Sequence, residues 1–220
     1  MMDAIQKAKQ EVLKGCRLTC EKEFTVGTAG NISARVQGQD AFVITPTAMD
    51  YMLLTEDDLV VMDFNGNVID GKYKPSIEHN LHRGIFVARE DVQAVVHVHS
   101  TYATAYASID TKDTMVSLDV EAINYIGGDV KVSPFAPPGS DELASYVQEG
   151  LGELAAVLMS NHGSCCVGGD MSMAITVCEI IEKTCYSLFL IESMGTVRRF
   201  PNDYYEGAFG RYCKAHRVAK

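Results

Sequence analysis

No stretch of the 220 residues reaches the ~18 consecutive apolar positions of a membrane-spanning helix. The opening MMDAIQKAKQEVLKG has the spacing of an amphipathic helix and lacks the unbroken apolar run of a secretory leader. Positive charge is in short supply: 19 Lys and Arg face 29 Asp and Glu, a formal net charge of -10. That balance argues against nucleic acid or an anionic membrane surface as partner, so any anionic ligand must be held by local contacts. Internal repeats, low-complexity tracts and long linkers are absent. Paired cysteine spacing is missing as well. The seven cysteines are an odd number scattered from Cys16 to Cys213. Neither Cys16 with Cys20 nor the Cys165-Cys166 doublet has a second pair at zinc-site spacing. They read as free, mostly buried thiols in a reducing cytoplasm. With 47% hydrophobic and 22% charged residues, the composition is that of one ordinary globular domain.

Elements alternate in type along the chain. A helix is expected over about 3–23, and strands near Ala41 to Thr45 and Leu59 to Asp63, the latter entering a hairpin through FNGN into VIDG. A helix is expected from KPSIE, with Pro75 at its entrance, Ser76 as cap and Ile77, Leu81, Ile85 and Ala88 at helical spacing. QAVVHVH reads as a strand, TYATAYASI as a helix, TMVSL as extended, VEAINYIGG as a short helix and DVKVSPFAPPGS as extended again. Ser140 or Asp141 caps the helix DELASYVQEGLG, AAVLMS is a buried strand, and a long helix runs from about Met171 to Met194. The sum is an α/β chain, a single domain over 1–220 with a central mixed or mainly antiparallel sheet layered with helices. A tail from about residue 200 is set apart as open to movement.

Four of the six histidines fall between His79 and His99. On a strand, period two turns Val95, His97 and His99 to one face, so two imidazoles aim at one point, a strong bidentate start for a metal such as Zn(II). His162, in the loop after a buried strand and followed by a glycine, is the third candidate. Three histidine ligands leave a coordination position open for Lewis-acid chemistry. Glu78, one turn before His82, is the candidate base. His79 and His82 lie on a helix away from the strand pair and read as structural or surface residues. Upstream, GTAGN lacks both the Walker and the dinucleotide fingerprints, yet its glycines permit close backbone approach. Thr28, Asn31, Thr47 and Ser76 can donate hydrogen bonds to a phosphate.

In order along the chain, GTAGNIS, ITPTAMDY, KPSIEHNLH, AVVHVHSTYATA, IGGDVKVSPFAPPGS and LMSNHGSCCVG resemble the class II aldolase and adducin-head family, from about Gly27 to Met194. The resemblance implies one Zn2+ per subunit on His97, His99 and His162, and Glu78 as catalytic acid/base. It puts the substrate phosphate among Thr28, Gly30, Asn31, Thr47, Ala48 and Ser76. It further implies a C4 homotetramer with active sites between subunits. The implied reaction is reversible cleavage of a ketose 1-phosphate of the L-fuculose 1-phosphate kind to dihydroxyacetone phosphate and an aldehyde such as L-lactaldehyde. Related sugar-phosphate epimerase, dehydratase and decarboxylase chemistry, and a non-catalytic adducin-like interaction module, stay open. Three departures stand out. Ile77 replaces the second serine of the aldolase Ser-Ser-Glu, and Ala48 replaces a glycine. Glu121 stands where the aldolase has a proton-donating tyrosine, which resembles the methylthioribulose-1-phosphate dehydratase branch and makes Glu121 a second catalytic candidate. Tyr204, Tyr205 and Tyr212 are the residues of the tail suited to reach a neighbouring site.

Overall fold

Helix α1 (Ala4–Glu21) buries Ala8, Val12, Leu13, Cys16 and Thr19, a stripe at helical spacing that lies against a central sheet. In the computed structural model, which describes residues 3–216, nine strands make that sheet. They are β1 (Asn31–Arg35), β2 (Ala41–Ile44), β3 (Val60–Asp63), β4 (Val68–Asp70), β5 (Ala94–Val98), β6 (Thr114–Met115), β7 (Val130–Ser133), β8 (Ala156–Met159) and β9 (Gly163–Gly168). Their order is β4-β3-β2-β1-β5-β9-β8-β7-β6. Only β7 and β8 run parallel, so the sheet is mixed, as expected. The remaining helices are α2 (His79–Ala88), α3 (Thr101–Ala107), α4 (Val120–Ile126), α5 (Asp141–Leu151), α6 (Met171–Met194) and α7 (Asn202–His216).

α1, α3 and α6 cover one face of the sheet, while α5, with α2 packed on it, covers the other. Phe86 of α2 meets Phe42 of β2 with ring centroids 5.5 Å apart, tying α2 to the sheet. β5 sits between β1 and β9, and all five of its residues are buried. Its histidine therefore projects from the middle of the sheet.

Several local expectations are corrected. α2 starts at His79, and Ser76 is not its cap. The chain is still extended there, because Pro46 and Pro75 form a bridge and the Ser76 N–H donates to the Thr45 carbonyl. Ile77 and Ala88 are accordingly exposed and off the apolar stripe. Two strands went unread. β1 follows directly on the GTAGN turn, and β9 is a small-residue strand, GSCCVG, with no alternation to betray it, because both its faces are buried. TMVSL pairs only through Thr114 and Met115. Ser140, not Asp141, caps α5, its side chain accepting from the Leu143 N–H. The segment after 200 holds α7, which buries Ala208 and Tyr212; residues 217–220 of the tail lie outside the described residues. No helix is long and apolar enough to cross a membrane among the described residues.

Candidate metal centre and active site

His97 is fully buried at the centre of β5, opposite Asn31 of β1 and Cys165 of β9. Its Nδ1 donates to the Ser164 carbonyl oxygen at 2.9 Å, which in the neutral ring leaves the lone pair on Nε2. His99 stands one residue past the strand end, with its Nε2 3.0 Å from that of His97. His162 comes from the β8–β9 turn. Asn161 before it holds the left-handed conformation (φ 53°), which asparagine tolerates better than most residues. After it, Gly163 lies so close to β5 that a Cβ would stand 2.3 Å from the Val98 carbonyl oxygen. The turn is thus pressed onto the end of β5, and the three rings meet with centroids 4.7 to 4.8 Å apart. One nitrogen from each lies within 4.8 Å of the others, the one such grouping of three or more metal-type ligands among the described residues.

Glu78, just ahead of α2, is buried and faces this vertex. Its Oε2 is 3.3 Å from His97 Nε2, and its Oε1 is 3.6 Å from His162 Nε2. Asn31 Nδ2 donates to Oε2 at 2.7 Å, whereas Oε1 has no hydrogen-bond partner. Burial alone would raise the Glu78 carboxyl. The facing His97, with hydrogen bonds from His97 and Asn31, outweighs it and holds the group well below the usual carboxylate range. Burial would lower His97, but the Glu78 carboxylate and the Ser164 carbonyl raise it above its ordinary value. Burial and the neighbouring His97 bring His99 and His162 each down to about 4.

These features fit a divalent cation. Metal binding requires neutral imidazoles, and two of the three rings are kept neutral. The neutral form of His97 would point a lone pair at a carboxylate, an arrangement that a cation between them resolves.

The same vertex opens into a cavity of about 260 Å³ lined by Thr28, Gly30, Asn31, Thr47, Ala48 and Ser76 together with Glu78, His99 and His162. All six residues singled out for phosphate contact therefore line one cavity. Gly30 is required there: its φ is +88°, and a Cβ would stand 2.5 Å from the His97 carbonyl oxygen. Ala48 holds φ 56°, a left-handed conformation unfavourable for alanine, at the position where glycine was expected. Ser76 Oγ accepts the Glu78 N–H at 3.3 Å and keeps its own proton to donate. Thr47 Oγ1 donates to the Pro75 carbonyl at 2.8 Å. Ile77, the departure from the aldolase Ser-Ser-Glu, completes the lining with Pro46 and Pro138, which were not anticipated.

Glu121 lies elsewhere, exposed on the first turn of α4, and does not line this cavity. In the tail, the Tyr205 hydroxyl accepts the Asp129 N–H and Tyr212 is buried, whereas Tyr204 is partly exposed and stacks on Phe200. His79 stays outside the trio. His82 is structural, as read, but is fully buried and bonded to Ser33 and Asn31, a placement its sequence context did not announce.

Residues 10–189 match the family described as Class II Aldolase and Adducin N-terminal domain. A 5-deoxy-D-ribulose 1-phosphate aldolase of Bacillus thuringiensis is 33% identical over 202 residues, 92% of this chain and 93% of its own. A 3-oxo-tetronate 4-phosphate decarboxylase of Haemophilus influenzae is 32% identical over 78% of this chain and 82% of its own. Among solved structures, an L-fuculose 1-phosphate aldolase superposes with a TM-score of 0.87 at 30% identity, covering 94% of this chain and 96% of that one. With its metal-type histidine trio on the matching fold, the chain belongs to the class II aldolase and adducin N-terminal domain family, on its lyase side.

Proposed function

We propose that this protein catalyses the reversible aldol cleavage of a ketose 1-phosphate, of the L-fuculose 1-phosphate kind, to dihydroxyacetone phosphate and a short aldehyde such as L-lactaldehyde. The observation that carries the reading is the bare Oε1 of Glu78, turned toward three converging imidazoles in the cavity that also gathers the six phosphate candidates. His97, His99 and His162 would hold one zinc ion per subunit. When bound, the ion supplies Lewis acidity to the substrate carbonyl and carries charge that develops as the carbon–carbon bond breaks. Glu78 moves the proton at the donor carbon, returning it in cleavage and removing it in synthesis. Thr28, Gly30, Asn31, Thr47, Ala48 and Ser76 seat the phosphate, with the Ser76 hydroxyl free to donate.

Both the bacterial 5-deoxy-D-ribulose 1-phosphate aldolase and the L-fuculose 1-phosphate aldolase act, by their names, on ketose 1-phosphates. Breaking either between carbons 3 and 4 leaves the same three-carbon phosphate, so the phosphate end of the cavity serves both and the aldehyde end selects. Glu121 is the second acid/base in this reading, lent to the cavity of a neighbouring subunit within a C4 homotetramer, with Tyr204 the tail residue suited to accompany it. The exposure of both supports this, as does the apolar surface of Val26, Ile77 and Phe135 beside the cavity-lining segments. The buried thiols Cys16, Cys165, Cys166, Cys178 and Cys185 suit a cytoplasmic setting.

The similarity to a decarboxylase favours a second reading, decarboxylation of a phosphorylated 3-oxo acid at the same centre. Zinc-loaded protein incubated with L-fuculose 1-phosphate and 5-deoxy-D-ribulose 1-phosphate, coupled to glycerol-phosphate dehydrogenase, tests the first. Oxidation of NADH is expected. No turnover of either by protein with stoichiometric metal overturns the aldolase assignment, and release of carbon dioxide from a 3-oxo acid phosphate establishes the second.

A further inference from the structure

Behind Glu78, a line of hydrogen bonds runs into the core. Ser33 Oγ is 2.6 Å from His82 Nδ1, His82 Nε2 bonds Asn31 Oδ1, and Asn31 Nδ2 donates to Glu78 Oε2 at 2.7 Å. All four side chains are essentially sealed from solvent: Ser33 and His82 are 0% exposed and Asn31 and Glu78 4%. Asn31 and Ser33 share one face of β1 by the two-residue period, and His82 follows Glu78 by one helical turn, so the ring drops between strand and carboxylate.

The chemistry of the groups orders the protons. A carboxylate only accepts, so Asn31 must turn its NH2 to Glu78 and its oxygen to His82. His82 must then carry its proton on Nε2, and its Nδ1 must accept the Ser33 hydroxyl proton. The opposite tautomer would have Nε2 accepting, would favour the flipped amide, and would set the Asn31 oxygen against the Glu78 carboxylate. Burial, aided by His97, keeps the His82 ring neutral, down to about 3, as this order requires.

We propose that His82, held in one tautomer by the Asn31 oxygen and seated by Ser33, is a positioning residue that acts through the Asn31 amide to fix the Glu78 carboxylate, holding Oε2 so that Oε1 is left for the substrate proton. Asn31 thereby has a role apart from phosphate contact, and its NH2 carries a second hydrogen for that contact. The functional half of this inference rests on Glu78 acting as the acid/base of the proposed lyase. The proton order does not, which separates the two in a test.

In the zinc-loaded protein, nitrogen-15 NMR of labelled histidine is expected to show His82 protonated at Nε2 and bare at Nδ1. Ser33→Ala, which leaves Nδ1 without its donor, is expected to keep that tautomer but to loosen the ring and lower kcat in the same direction as the His82 variants. On ketose 1-phosphate, His82→Phe is expected to lower kcat by ~10- to 100-fold, the usual cost of losing an outer-shell orienting group, with metal content and KM unchanged. His82→Gln, whose amide can reproduce the N–H toward Asn31, is expected to recover most of that loss. Should His82→Phe fail to fold, Ser33→Ala carries the same kcat test. A proton on Nδ1 in the native protein, wild-type kcat in His82→Phe or Ser33→Ala, or equal damage in the Phe and Gln variants would overturn the proposal. A native protein with the predicted tautomer but no activity on ketose phosphates would instead overturn the reading of the reaction.

Discussion

His97 Nε2 stands 3.3 Å from Glu78 Oε2, while the other nitrogen of the same ring is committed to the Ser164 carbonyl. A strand from the middle of the sheet and the residue that opens α2 are thus joined at one point, where the neutral ring would set a lone pair against a carboxylate, an arrangement that a proton or a cation between them resolves. The first expectations follow from that junction.

Removing one imidazole should remove the metal. His162→Ala leaves two ligands, and its affinity for zinc is expected to fall beyond the ~100-fold that losing an outer-shell partner alone costs. Dialysis against a graded zinc buffer followed by elemental analysis measures it. Stoichiometric metal held at native affinity in the variant would refute the three-histidine centre.

Glu78→Gln keeps the shape and an oxygen to accept from Asn31 but cannot take a proton. A loss of ~100- to 10,000-fold in kcat is expected, the range of general acid–base catalysis, with metal retained. The direct measurement is exchange of the donor-carbon proton of dihydroxyacetone phosphate with deuterated water. Undiminished exchange in the variant would rule Glu78 out as the base.

Backbone strain at the cavity can be relieved or imposed. Ala48 has φ 56°, so Ala48→Gly is expected to stabilise by ~1 kcal/mol, raising Tm by about 2–4 °C for a chain of this size. Gly30→Ala should do the reverse and more, because its Cβ would stand 2.5 Å from the His97 carbonyl oxygen. Thermal unfolding of both variants decides, and a Gly30→Ala protein as stable as the native one would contradict the geometry.

Acid should act through His82. Its folded value is pushed down to about 3 by burial, with His97 adding to the effect, against an ordinary value of 6.5. Between those limits the unfolded chain binds the proton that the folded chain refuses, so stability is undiminished above about 6.5 and falls as pH drops toward 3. The slope from this one group is at most about 1.4 kcal/mol per pH unit. Denaturant titrations of native protein and His82→Gln at a series of pH values should show a shallower acid slope in the variant. Parallel slopes would mean His82 is not held neutral.

Mixing two defective chains tests whether a site is shared. Co-assembled Glu78→Gln and Glu121→Gln chains are expected to regain part of the activity that each lacks, because some cavities would pair a native Glu78 with a native Glu121 from the neighbour. Full activity of Glu121→Gln alone would leave that residue without a catalytic part.

Much of the site was legible in the chain because its parts repeat at short, regular intervals. Valines at alternating positions made QAVVHVH a strand, and the same period put His97 and His99 on one side. The glycine after His162 and the hydroxyl-bearing residues around GTAGN and KPSIE marked turns, and turns carry binding groups. β9 was illegible since GSCCVG, buried on both faces, shows no alternation. The start of α2 was misplaced because Pro75 suits a helix entrance equally well as the bridge to Pro46 that it makes. The hydroxyl and imidazole of Ser33 and His82, 49 positions apart, carry no local sign of their meeting.

By itself, then, the amino-acid order determined which residues are chemically able to hold a divalent cation, to accept a proton and to bind phosphate, and on which local elements they ride, because propensity and periodicity act over a few neighbours. Only the tertiary structure decided that they converge. Antiparallel pairing of β5 with β1 and β9 brings Asn31 and Ser164 to the two sides of His97, and the Gly163 turn folds His162 over the strand end. Packing of α2 above that face brings Glu78 to the vertex and His82 behind it. These contacts join positions far apart along the chain, and it is the burial of one common core that fixes them.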